Sequence, residues 1–138
     1  MMAVTLDQPA RARLVTPEGR ERPLPVTLGY SSADPLAVQI TFPPEASLDG
    51  AEVTWIFGRR LLEEGLRAPA GGGDVHIWPC GRARTVLEFH APQGLALVQF
   101  DSAVLKRFLL RTYAVVGPGR EAAELGLDQD IDRLLGGV

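Results

Sequence analysis

The sequence predicts an α+β fold that is mostly β. Two curled antiparallel sheets pack face to face as a barrel-like sandwich, with a short central helix and C-terminal helices over an open end. Three observations predict this. Apolar residues alternate in twos over most of the first hundred positions. Short polar connections break that alternation at the spacing of a meander. Helical spacing of apolar residues appears in one short stretch after the fourth strand pattern, and again after Asp101.

Element by element, "VTLDQPARARLV" (Val4 to Val15) is a long, polar and bulged strand, with Pro9 marking an edge. "LPVTLGY" places Leu24, Val26, Leu28 and Tyr30 on one face. "SSADP" is turn chemistry, after which Leu36, Val38, Ile40 and Phe42 repeat the alternation. "AEVTWIFG" adds Val53, Trp55 and Phe57 and completes a four-strand meander. "RRLLEEGL" carries Leu61, Leu62 and Leu66 on one stripe of a two-turn helix that stops at Gly65. Strand patterns return in "DVHIWP", "TVLEFHA" and "GLALVQFD", with "APQG" as the turn between the last two. A second helix starts at Ser102 as N-cap and keeps Val104, Leu105, Phe108, Leu109 and Tyr113 at helical spacing. "VGPGR" ends it, and a last short helix restarts from Asp128 with Ile131, Leu134 and Leu135 as its apolar side.

The 138 residues fit one domain, residues 1–138. A net charge of −3 argues against a general nucleic-acid binder. The single cysteine, Cys80, excludes an internal disulfide and a multi-cysteine zinc site, and it fits a reducing cytoplasm. No signal-peptide pattern is present, and no apolar run approaches the roughly 20 residues that span a bilayer.

The triple glycine Gly71 to Gly73 invites a phosphate-binding reading, but a phosphate loop ends in Gly-Lys-Ser/Thr and runs into a helix. Here the order is helix to strand, no lysine follows, and Asp74 stands at the exit. The stretch is a turn. Glu63, Glu64, Asp74 and Glu88 read as solvated carboxylates, since spacing alone places no pair across a cleft. Asp128, Asp130 and Asp132 lack the glycine and distal glutamate of a calcium loop. His76 and His90, the only histidines, have no recognisable catalytic context. The expectation is therefore no enzyme, no metal and no cofactor. One alternative comes from aromatics beside arginines: Trp55 and Trp78, with Arg82 and Arg84, are the residues that would stack on single-stranded nucleic acid.

A longer pattern runs through Trp55, Ile56, Phe57, Arg59, Leu61, Leu62, Glu64, Gly65 and Leu66, then Pro69, Gly71, Gly73, Asp74, Val75, Trp78 and Pro79. Upstream it includes Tyr30, Asp34, Pro35, Ala37 and Val38, and downstream "LKRFLLRTYAVVGPGRE". This pattern resembles the SsgA-like sporulation and cell-division family of filamentous actinobacteria, and within it the SsgB type. The likeness extends from Leu24 to Leu135 and is weak in the first strand. It implies a non-enzymatic septation protein with a Whirly-like fold, assembled as a homo-oligomer, with a trimer expected. It also implies two partners, FtsZ and an SsgA-type protein, and a cytoplasmic location at the septum without membrane insertion. The residues expected to meet a partner are those of the short central helix: Arg59, Arg60, Glu63 and Glu64.

Overall fold

A computed structural model describes residues 3–46 and 50–123. The expected helix from Asp128 lies outside the described residues. Seven strands form: β1 (Thr5–Val15), β2 (Glu21–Ser31), β3 (Ala37–Phe42), β4 (Val53–Gly58), β5 (Val75–Cys80), β6 (Arg84–Ala91) and β7 (Gly94–Asp101). Helix α1 (Arg59–Gly65) separates β4 from β5, and α2 (Ser102–Val115) follows β7.

The strands make one continuous antiparallel sheet in the order β4-β3-β2-β1-β7-β6-β5, where the sequence led us to expect two. The two meanders are joined by a short seam, in which Arg13, Leu14 and Val15 of β1 pair with Gln99, Val98 and Leu97 of β7. The sheet curls into a half-barrel. Phe89 on β6 sits 5.4 Å from Phe42 of β3 and 5.1 Å and 6.3 Å from Trp55 and Phe57 of β4, measured between ring centroids. Opposite ends of one sheet thus share one core.

Alternation decides which side chains enter that core. Leu24, Val26, Leu28 and Tyr30 of β2 are buried, as are Val38, Ile40 and Phe42 of β3. Val75 and Ile77, then Leu87 and Phe89, then Val98 and Phe100 supply the second meander's share. Leu105, Phe108 and Leu109 of α2 are buried against them, as the helical spacing predicts.

β1 pairs with β2 residue for residue from Thr5 to Val15, so it has no bulge. The edge that Pro9 marks is nevertheless present, because β7 pairs only with Arg13 to Val15. β2 begins at Glu21, before the alternation becomes visible at Leu24. β3 pairs only with Thr27 to Gly29 of β2, and Pro23 and Pro25 fall in the half of β2 that β3 does not reach.

Ser102 does not cap α2. Asp101 holds the N-cap position without a side-chain cap bond. The Ser102 hydroxyl is buried instead and shares a 2.7 Å hydrogen bond with Thr85 of β6.

The glycine stretch is a return from helix to strand. Ala70 and Ile77 exchange two backbone hydrogen bonds, at 2.8 and 2.9 Å, which cover the outer edge of β5. Gly71 has a φ of +118°, and a Cβ there would lie 2.4 Å from the Val75 carbonyl oxygen. Gly72 and Gly73 face open space. Gly65 has a different task, because a Cβ on it would sit 2.3 Å from Ile77 Cγ2. It lets α1 lie directly on β5. Gly65→Ala is therefore expected to cost about 1–3 kcal/mol through overpacking, whereas Gly72→Ala is expected to stay within about 0.5 kcal/mol. Urea unfolding of the two variants checks the contrast.

Candidate functional site

α1 begins where β4 ends, and Arg59 is its first residue. The Arg59 backbone N–H donates to the Leu36 carbonyl at 2.8 Å, which ties the start of the helix to the residue just before β3. Its side chain turns inward and is only 1% exposed. Nη1 donates to the carbonyls of Thr112, at 3.2 Å, and Val116, at 2.7 Å. Those are carbonyls at the C-terminal end of α2, where a cation complements the helix dipole. Nη2 donates to the Glu121 carboxylate. The guanidinium carbon lies 4.2 Å from the Tyr113 ring centroid and 5.1 Å from that of Tyr30. Arg59 is thus an internal clasp between α1, α2 and β2, and its burial corrects the expectation that it faces a partner.

Glu63, one turn further along α1, accepts a hydrogen bond from the Tyr113 hydroxyl of α2. Burial pushes the Tyr113 hydroxyl up to about 12, helped by the Glu63 hydrogen bond and charge. The unfolded chain therefore releases this proton before the folded one does. Its contribution to stability is complete below the ordinary tyrosine value near 10 and is lost as pH rises towards 12. Ultraviolet difference titration is expected to show a late ionisation step for Tyr113 that is absent from Tyr113→Phe. The Glu121 carboxyl is held below its ordinary value by its own backbone N–H and by the Arg59 guanidinium.

The remaining predicted contact residues lie on the outer side of α1. Arg60 and Glu64 form an exposed pair at 3.1 Å, with the Arg60 side chain 90% exposed. Arg67 lies 3.7 Å from Glu63. Between α1 and α2 runs a cleft of about 480 Å³ lined by Glu63, Leu66, Arg67, Lys106, Leu109, Leu110 and Tyr113. Leu110, one of these lining residues, is 71% exposed. The α2 side of this surface is not among the residues expected from the sequence; its visible signal is an apolar Leu110 following the buried Leu109.

Of the nucleic-acid set, Trp78 and Arg84 share the outward face of the β5–β6 hairpin and Arg82 lies in its turn, whereas Trp55 stands apart. Trp55 packs against the core on the inner face of the sheet. Trp78 lies across from Val86 on the opposite face, between the core residue Ile77 and Pro79. Arg84 is engaged with Gln99 at 2.6 Å, Asp101 at 3.5 Å and Glu21 at 3.9 Å. Asp101 also pairs with Arg13 at 2.7 Å. Only Arg82, in the exposed turn before β6, stands clear in solvent.

The model of the family described as Streptomyces sporulation and cell division protein, SsgA, matches residues 24–121. The chain belongs to the SsgA family. The match starts at Leu24, so β1 lies outside it. SsgA-family relatives include the sporulation-specific cell division protein SsgB of Salinispora tropica, 43% identical over 96% of this chain and 94% of that protein. SsgB of Streptomyces coelicolor is 39% identical over 97% of this chain and 98% of its own length. A solved structure described with SsgB mutations that correlate to longitudinal cell division during sporulation of Streptomyces coelicolor has a TM-score of 0.80 and 35% identity. It covers 90% of this chain, which covers 98% of it. The SsgA-like sporulation-specific cell division protein of Thermobifida fusca has a TM-score of 0.78, with 33% identity, 94% of this chain and 93% of that one. The Arg59 clasp and the α1–α2 cleft lie in or beside the matched residues 24–121. A role in sporulation cell division follows from membership and from these SsgB relatives. Among the described residues no helix is long and apolar enough to cross a membrane.

Proposed function

We propose that this SsgA-family chain is a non-enzymatic septation protein that positions FtsZ through protein–protein contacts on the α1–α2 surface. The observation that carries the reading is the cleft between these helices, with its exposed Leu110 and the flanking charges of Arg60, Glu64, Arg67 and Lys106. An apolar centre within a charged rim is the usual anatomy of a docking patch. The buried Arg59 clasp holds the two helices at a fixed spacing, so the patch is presented ready-formed. In the same reading an SsgA-type protein is the second partner, the septum is the place of action, and the half-barrel assembles in a Whirly-like trimer. Ile56, 59% exposed on the edge strand β4, supports a subunit contact there.

Co-sedimentation with FtsZ polymers tests the direct contact. The wild-type chain is expected to pellet with FtsZ, and Leu110→Ser combined with Arg60→Ala to reduce the bound fraction at least about tenfold, as for loss of a hot spot. Unchanged binding of that variant would sink the proposed surface. Absence of wild-type binding would sink direct recruitment. Light scattering gives the subunit number, with three expected.

A further inference from the structure

The chain has two histidines, and the sheet register brings both beside one carboxylate. His76 on β5 lies directly across from Glu88 on β6. His90 follows Glu88 by two residues and so leaves β6 on the same face. That face is the one turned away from the core, because the alternate residues Val75, Ile77, Leu87 and Phe89 are core residues. His90 Nε2 and Glu88 Oε1 are 2.6 Å apart, and the two imidazole centroids are 5.1 Å apart. One ligand atom from each of the three side chains lies within 4.8 Å of the other two. Among the described residues the His76 side chain has the His90 ring as a neighbour but no hydrogen-bond partner.

We propose that His76, Glu88 and His90 form a binding site for a divalent transition-metal ion such as Zn²⁺, with water in the remaining positions. Two imidazole nitrogens and one carboxylate oxygen are a donor set that suits zinc and its neighbours, and is too nitrogen-rich for magnesium or calcium. Zinc–nitrogen bonds of about 2.0–2.1 Å place tetrahedral ligand atoms about 3.3 Å apart. The widest of the three separations therefore closes by up to roughly 1.5 Å around the ion while Glu88 and His90 move slightly apart, which rotamer changes on a solvated sheet face supply without backbone movement. Glu88 exchanges its bond to His90 for the metal. The scaffold is well suited to this, since His76 and Glu88 are paired partners in the β5–β6 ladder and the His90 backbone N–H, one residue past its end, donates to the Asp74 carbonyl at 2.8 Å.

Isothermal titration of the metal-free full chain with ZnCl₂ tests the site. One Zn²⁺ per chain is expected, with binding weakening as pH falls and protons compete for the imidazoles. His76→Ala, His90→Ala and Glu88→Gln are each expected to weaken it at least about tenfold. Cys80→Ser is the control, because Cys80 is an exposed thiol at the end of β5; it is expected to leave binding unchanged. Co²⁺ is expected to give a visible absorption band of low-coordinate character in the wild type and not in the histidine variants. Circular dichroism checks that each variant is folded, and the wild-type titration stands on its own. Failure of the wild type to bind one Zn²⁺, full affinity in a His76→Ala/His90→Ala double variant, or loss of binding in Cys80→Ser would each overturn the proposal.

Discussion

Arg59→Ala is expected to destabilise the chain by about 3–5 kcal/mol, the cost of breaking a buried, hydrogen-bonded charge pair. The substitution removes donors from the Thr112 and Val116 carbonyls, which mark the end of α2. It also leaves a void between the rings of Tyr30 and Tyr113. Lysine is a poor replacement, because an ammonium reproduces neither the fork to two carbonyls and a carboxylate nor the flat stacking surface. Arg59→Lys is therefore expected to recover less than half of the loss, as read from thermal melts. Glu121→Gln isolates the ionic part. The Glu121 carboxyl is held below its ordinary value by its backbone N–H and by Arg59, so its contribution is complete above the ordinary carboxylate value. That contribution disappears as pH falls through the lowered one. The gap in stability between wild type and Glu121→Gln is expected to be open at neutral pH and to close in acid.

Phe89→Ala is expected to cost a similar amount, about 3–5 kcal/mol. Phe89 lies at the place where the two ends of the curled sheet meet, touching Phe42, Trp55 and Phe57. The cavity would open between β6 and the β3–β4 edge, regions that no ladder hydrogen bond joins directly. Phe89→Leu keeps part of the volume and is expected to cost about half as much. Because Trp55 tilts onto the Phe89 ring at 5.1 Å, the alanine variant is also expected to shift the tryptophan fluorescence. A variant that unfolds with wild-type stability would show that the half-barrel does not close on this residue.

The seven strands and helices α1 and α2 are legible in the sequence because most of them have one apolar face with a clear period, as β2, β3 and α2 do. The single sheet is not. Its two halves are joined by three residue pairs, Arg13 to Val15 with Leu97 to Gln99, and a seam that short leaves no periodic trace. Membership was legible too, since the pattern from Trp55 to Pro79 is carried by residues the fold constrains. Gly65 must admit Ile77, Gly71 must take a positive φ, and Arg59 must reach the end of α2. The role of Arg59 was hidden for the same reason that it matters. Its neighbours Tyr30, Thr112, Tyr113, Val116 and Glu121 come from distant parts of the chain, so an arginine at a helix start reads as solvated charge. The grouping of His76, Glu88 and His90 depends on strand register in the same way.

In the proposed function, α1 and α2 jointly present one surface to the division machinery. Hydrogen–deuterium exchange of the chain with and without FtsZ polymers tests this most directly. Protection is expected in peptides covering Arg60 to Arg67 and Lys106 to Tyr113, with little change along β1. Protection confined to the sheet, with both helices exchanging as in the free chain, would contradict it.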